Sequence, residues 1–242
     1  MIVVGILRDL SKHIEKAAAI AVEDLQEGIV ETEPSLTDRF IGAMEGRLST
    51  LEIGGYRFKI RTLRDRGRGA PEHEFGADLV GVLDVDIPSY KVSKGFLAQA
   101  KLANKGEITV KLPGSCPGYE YPEITVSIPR DPSSSRLVSQ CKQMLSVTPD
   151  SYVFVYSQFG IFVIPASAIT SIAPGSCRPV YSKRIGGFFM EHMMSFIGDL
   201  GLEATSDDAL RSCRERTNAR YAMLLEMRAI ERAHRWVTAA FP

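Results

Sequence analysis

Two apolar runs with polar residues at their seam constrain this chain more than anything else in it. Leu79 to Val85 is an apolar stretch opened by Gly76-Ala77-Asp78. A second stretch, Phe96 to Leu102, carries Gln99-Ala100-Lys101 near its end. Such runs predict strands covered on both faces, which belong in the middle of a sheet. Side chains on a strand alternate, so Gln99 and Lys101 share one face while Phe96, Ala98, Ala100 and Leu102 share the other. An amide and an ammonium inside a buried strand are unfavourable unless a neighbour satisfies them. Asp78, at the head of the adjacent strand, would supply that neighbour if it held a metal ion.

The order Asp78, spacer, Gln99-x-Lys101 resembles the core signature of the PD-(D/E)XK nuclease superfamily. Gly76-x-Asp78 with Gln99-Ala100-Lys101 is similar to its Mrr-like restriction branch and to certain bacterial antiphage effectors. The resemblance covers roughly residues 31 to 170. No proline precedes Asp78, and Gln99 stands where a carboxylate is more usual; both departures are ordinary in the Mrr-like branch. The resemblance implies an α/β fold with a restriction-endonuclease-like mixed central sheet flanked by helices. It implies a Mg²⁺- or Mn²⁺-dependent DNA endonuclease, acting in antiphage defence of the restriction or abortive-infection type.

Phosphodiester hydrolysis needs an activated water, neutralised phosphoryl oxygens and a stabilised leaving group. Asp78 and the Gln99 side-chain oxygen suit a hard cation, and the resemblance adds the Ala100 carbonyl. Lys101 would orient the attacking water or neutralise the scissile phosphate. In this superfamily a second carboxylate comes from the first core helix, which points to Glu33 in Glu33-Pro34-Ser35-Leu36-Thr37, with Glu31 and Glu45 as rivals. The plain alternatives are a turn residue at a strand start for Asp78 and an acid complementing a helix dipole for Glu33. Glu72, Glu74 and His73 flank the turn into Asp78 as accessory candidates, or as solvated loop groups.

Arg57, Lys59, Arg61, Arg64, Arg66 and Arg68 crowd into twelve residues with a single acid, Asp65. A basic strand and loop of this kind would contact the phosphates of double-stranded DNA without reading bases, although a charge run is also an ordinary solvated face. Lys+Arg and Asp+Glu both number 29, so no global field draws in a polyanion. Ser-His-Asp and Cys-His sets, P-loops and GxGxxG motifs are absent from the sequence.

The 242 residues, 45% hydrophobic and 24% charged, are those of a globular protein. Cys116, Cys141, Cys177 and Cys213 are too scattered for a zinc site or a disulfide frame. The short apolar start lacks the basic flank of a signal peptide, and no run approaches the ~20 residues of a membrane helix. A cytoplasmic protein is expected. Helical spacing predicts helices over 7–27 and from Pro34, and period two predicts a strand over 53–63. Asn104 to Arg130 reads as a Gly- and Pro-rich insertion. Asp131-Pro132 reads as a helix start, and 152–156 and 161–164 as strands. Residues 1–174 are assigned to the nuclease domain. Residues 175–242, with a Met- and Phe-rich stripe and a long charged helix from Ser206 toward Trp236, are assigned to a C-terminal helical appendage. Control would then come from an activating partner subunit, or from a homo-oligomer assembled through those helices. Gln99 in place of an acid keeps a second expectation open, a catalytically inactive DNA-binding or scaffolding subunit of a defence complex.

Overall fold

Leu7, Leu10, Ile14, Ala17 and Ala21 recur at helical spacing and are all buried, which commits one face of α1 (Ile2–Gln26) to a core. Gly28, at φ +71°, takes the left-handed turn that ends it. Thr32 caps α2 (Glu33–Leu48) by accepting the Ser35 N–H, and Leu36, Phe40, Met44 and Leu48 point inward. The computed structural model describes residues 2–64, 77–88, 90–111 and 122–230.

The chain continues through β1 (Glu52–Ile53), β2 (Tyr56–Arg64), β3 (Leu79–Ile87), β4 (Tyr90–Leu102), β5 (Ile108–Lys111) and β6 (Glu123–Ser127). Next come α3 (Arg136–Val147), β7 (Ser151–Ser157), β8 (Gly160–Pro165), α4 (Ala166–Thr170), β9 (Cys177–Pro179), β10 (Lys183–Arg184), α5 (Ile185–Met193), α6 (Asp207–Thr217) and β11 (Tyr221–Ala229). The eight-stranded main sheet runs β1-β2-β11-β3-β4-β7-β8-β10, and β5-β6-β9 form a small second sheet. The pairs β11–β3 and β4–β7 are parallel and the rest antiparallel, so this is a mixed α/β fold. One face of the main sheet carries the core built with α1, α2 and α5. The other carries a core built with α3, α4, α6 and the small sheet. The apolar runs that opened the sequence reading are β3 and β4, both buried on both faces. Gly81 is required on β3, because a Cβ there would stand 2.3 Å from the Phe96 ring.

Three expectations need correction. Residues 175–230 are not a helical appendage, and the stretch from 231 through Trp236 lies outside the described residues. The predicted long helix stops at Thr217, where Asn218 takes a left-handed conformation, and β11 then inserts between β2 and β3. Five consecutive apolar residues, Tyr221 to Leu225, suit a strand buried on both faces and not a charged helix. Asp131-Pro132 opens only a 3₁₀ turn; Ser135 caps α3 by accepting the Val138 N–H. The α5 part of the Met- and Phe-rich stripe is core, while Phe196 beyond it is exposed: Phe188 and Phe189 of α5 pack edge-on to Phe96, with ring centroids 4.9 and 5.9 Å away. Those rings are therefore spent inside the chain and do not form an oligomer face. Cys141, Cys177 and Cys213 are free thiols, and Cys116 lies outside the described residues.

Candidate functional site

Asp78, Gln99, Lys101 and Glu33 meet where the head of β3, the last third of β4 and the first turn of α2 come together. Asp78 is pinned by its backbone on both sides. Its N–H donates to the Ala98 carbonyl (2.9 Å) and its carbonyl accepts the Tyr221 N–H (2.8 Å). Its carboxylate oxygen Oδ2 accepts the Ala100 N–H at 2.8 Å and a close hydrogen bond from Gln99 Nε2. Glu33 reaches over the end of β4: Oε1 accepts the Leu102 N–H at 3.1 Å, and Oε2 lies 3.5 Å from Lys101 Nζ. Four residues read from the sequence are thus brought together by three elements. The fifth, Ala100, contributes its N–H to Asp78, while its carbonyl accepts a 3.3 Å bond from Gln99 Nε2.

The electrostatics are unusual for a buried carboxylate. Burial pushes the Asp78 pKa up; the Ala100 N–H and Lys101 pull it back, Glu33 raises it further, and Arg220 lowers it slightly. Asp78 therefore sits among neutral donors, with no cation in contact among the described residues. Gln99 Oε1 is buried and has no hydrogen-bond donor. An orphaned amide oxygen and an undercompensated carboxylate side by side fit a hard divalent cation, which accepts oxygen ligands of both kinds. Among the described residues no three His, Cys, Asp or Glu side chains gather into a metal-binding group. The candidate donors are then two carboxylates, from Asp78 and Glu33, with the Gln99 amide oxygen and the Ala100 carbonyl.

The predicted phosphate contacts are distributed along β2. Arg64, level with Tyr221, is at the site end, where it faces Asp38 at 3.6 Å and Glu45 at 4.0 Å. Arg57 lies seven residues back, about 23 Å along the strand. Arg57 pairs with Glu52 at 2.7 Å, and Arg61 grips both oxygens of Glu226 at 2.7 Å each and Asp207 at 2.9 Å. Lys59 is exposed. Arg66, Arg68, Glu74 and His73, together with Glu72, lie outside the described residues.

Sequence reasoning missed Arg220. It is exposed, stacks its guanidinium over the Tyr221 ring at 5.4 Å, and stands near enough to Asp78 to influence its charge. Among the described residues it forms no ion pair. Its signal was the apolar run beginning at Tyr221, which marks Arg220 as the residue entering a central strand beside Asp78. Two other buried ionisable groups are structural. Burial brings the Lys94 pKa down to about 8, and its ammonium donates to the Ile197 carbonyl. Burial, with Lys94 alongside, brings His192 down to about 3. Together they fasten the turn after α5 to β4.

No protein-family model, curated protein or solved structure matches this chain. Among the described residues no helix is long and apolar enough to cross a membrane.

Proposed function

We propose that the chain is a metal-dependent endonuclease that hydrolyses DNA phosphodiester bonds, with a restriction-endonuclease-like core and an antiphage role. The observation that carries this reading is the convergence of Asp78, Gln99, Lys101 and Glu33, from three separate stretches of sequence, around an orphaned amide oxygen. Asp78 and Gln99 would hold Mg²⁺ or Mn²⁺ with Glu33 and the Ala100 carbonyl assisting. When bound, the ion supplies charge neutralisation at the phosphoryl group and lowers the pKa of water. The Ala100 N–H fixes the Asp78 carboxylate. Glu33 Oε1 is occupied by the Leu102 N–H, and Oε2, beside Lys101 Nζ, is the oxygen that would assist at the ion. Lys101, held against Glu33, presents its ammonium to the phosphate.

The test is incubation with plasmid DNA and Mg²⁺ or Mn²⁺, with and without products of neighbouring genes. Lys101→Ala should cut at least ~100-fold more slowly, the scale set by one transition-state donor, with its circular dichroism unchanged. Undiminished cutting by that variant would refute the assignment. A second reading has its own observation: Gln99 and Ala100 already satisfy Asp78 Oδ2, and Lys101 already faces Glu33. Such closure suits a catalytically inactive DNA-binding or scaffolding subunit. Calorimetric titration with Mn²⁺ separates the two, because the scaffold would give the same heats for wild type and Asp78→Asn.

A further inference from the structure

Two tyrosines reach the first turn of α2, the turn that carries Glu33. Tyr221 opens β11, beside β3, and Tyr156 is the penultimate residue of β7, beside β4. Both are buried in the core that the sheet builds with α1, α2 and α5. Tyr221 Oη lies 3.3 Å from the Pro34 carbonyl and 3.1 Å from Asp38 Oδ2, and its one proton is shared between them. Tyr156 Oη donates to Thr37 Oγ1 at 3.2 Å, and Thr37 Oγ1 donates to the Glu33 carbonyl at 2.9 Å. Burial pushes the Tyr221 pKa up to about 12, with Asp38 adding to the shift, and burial raises that of Tyr156 as well. Each hydroxyl therefore keeps its proton and donates at neutral pH.

The backbones of the same tyrosines are fastened at the site. The Tyr221 N–H donates to the Asp78 carbonyl at 2.8 Å. Tyr156 stands opposite Leu102 in the β4–β7 register, and its carbonyl accepts the Ala103 N–H at 2.8 Å. Leu102 in turn gives its N–H to Glu33 Oε1. Two chains of hydrogen bonds thus leave the strands of Asp78 and Lys101 and meet on the backbone of Glu33 and Pro34. Docking α2 on the sheet does not require them. Leu36, Phe40, Met44 and Leu48 are buried along the helix, and apolar burial attracts without direction. A phenylalanine ring would fill the core at either tyrosine with no buried hydroxyl to satisfy. What the hydroxyls add is direction. They fix the slide and rotation of one helical turn, and the side chain that this turn extends to β4 is Glu33.

We infer that Tyr221 and Tyr156 are positioning residues of the candidate site, holding the first turn of α2 where the Glu33 carboxylate lies over Leu102 and Lys101. This rests on the metal-dependent reading, in which Glu33 assists at the ion. Each hydroxyl acts through Glu33 and not on the reacting atoms.

The test follows the Leu102 amide proton of the metal-free full chain by NMR as pH is varied. Its shift titrates with the Glu33 carboxylate that accepts it, and Glu33→Gln, which removes the titration, assigns it. Tyr221→Phe and Tyr156→Phe should each shrink that titration. Each should also weaken Mn²⁺ binding, read by calorimetry, about 10-fold, the lower end of what supporting groups contribute at metal sites. Thr37→Val cuts the Tyr156 relay without touching either ring. It should match Tyr156→Phe and add nothing when combined with it, and it keeps the test alive if Tyr156→Phe does not fold. Tyr152→Phe removes a comparable hydroxyl bond, 3.1 Å to Asp150, elsewhere in the sheet. It should leave both readouts at their wild-type values, whereas a general loosening of the fold would move them. Wild-type Mn²⁺ affinity in both Tyr221→Phe and Tyr156→Phe overturns the inference, as does an equal loss in Tyr152→Phe. Plasmid cutting by wild type with those results leaves the nuclease reading standing alone. Tyrosine-dependent Mn²⁺ binding without cutting under any metal condition retains the inference and removes the nuclease. A wild-type chain that gives no heat with Mn²⁺ removes both.

Discussion

The central strands carry buried charge at both ends of one face, and the two ends are built oppositely. At the end of β11 and β3 remote from Asp78, Glu226 and Asp84 are almost wholly buried, and each acid meets a guanidinium. Arg61 binds Glu226 through two nitrogens, and Arg228 spans Asp84 and Glu226, donating to the Asp84 carbonyl at 2.8 Å and to Glu226 Oε1 at 3.1 Å. Arg61 holds the Glu226 pKa down, and Glu226 in turn raises that of Arg61. Each charge favours the other's ionised form. At the Asp78 end the pKa moves the other way, because burial is not answered by a contacting cation. A closed ion-pair network completes itself within the fold. An acid that is buried, fixed and undercompensated leaves room for a charge from outside.

The largest effect should come from opening the closed end. Glu226→Gln takes from Arg61 and Arg228 the carboxylate they share and should cost about 3 kcal/mol, the low end for a broken buried pair because Arg61 keeps Asp207 and Arg228 keeps Asp84. In a chain of this size that lowers Tm by roughly 6–12 °C. The loss should grow with pH. A carboxyl whose folded pKa is depressed stabilises above its unfolded value, and that contribution fades as pH falls through the folded one. A Tm unchanged at neutral pH would show that the network does not hold this end together.

A smaller effect of opposite sign is expected at the open end. Burial raises the folded pKa of Asp78, so its contribution favours the fold in acid and is lost as pH rises through the folded value. Asp78→Asn removes that loss and should raise the metal-free Tm at neutral pH by about 2–4 °C, equivalent to about 1 kcal/mol. The difference from wild type should shrink on acidification, and the heat of Mn²⁺ binding should vanish. A variant less stable than wild type at neutral pH would erase the contrast between the two ends. The smallest effect belongs to Arg57, whose pair with Glu52 is exposed on both sides (62% and 49%). Arg57→Ala should change stability by less than about 0.5 kcal/mol, read as a Tm within 2 °C of wild type. A greater loss than that of Glu226→Gln would reverse the ranking of closed and surface pairs.

Much of the open end was legible in the residues. Asp78, Gln99 and Lys101 lie in or beside apolar runs, so their polarity stands out, and strand alternation places Gln99 and Lys101 on one face. Glu33 was legible as the acid opening a helix, although its reach to Leu102 and Lys101 was not. The closed end was invisible. Arg61 and Glu226 are separated by 165 positions, and Glu226 lay in a segment whose charges, Arg214, Glu215 and Arg216 among them, carry a helical pattern that stops at Asn218. The pairing of the basic stripe was hidden for the same reason: the carboxylate partners of Arg61 and Arg64 come from α2, α6 and β11.

By itself the sequence determined the alternation of helices and strands, the two central strands and the polar residues that interrupt them, because burial and strand period act locally. Only the tertiary structure decided that β11 completes the sheet beside Asp78. It likewise decided which arginines are neutralised and by which carboxylates. Those depend on which distant segments come to lie side by side, and hydrophobic pattern fixes the face a residue turns to, but not the neighbour it meets there.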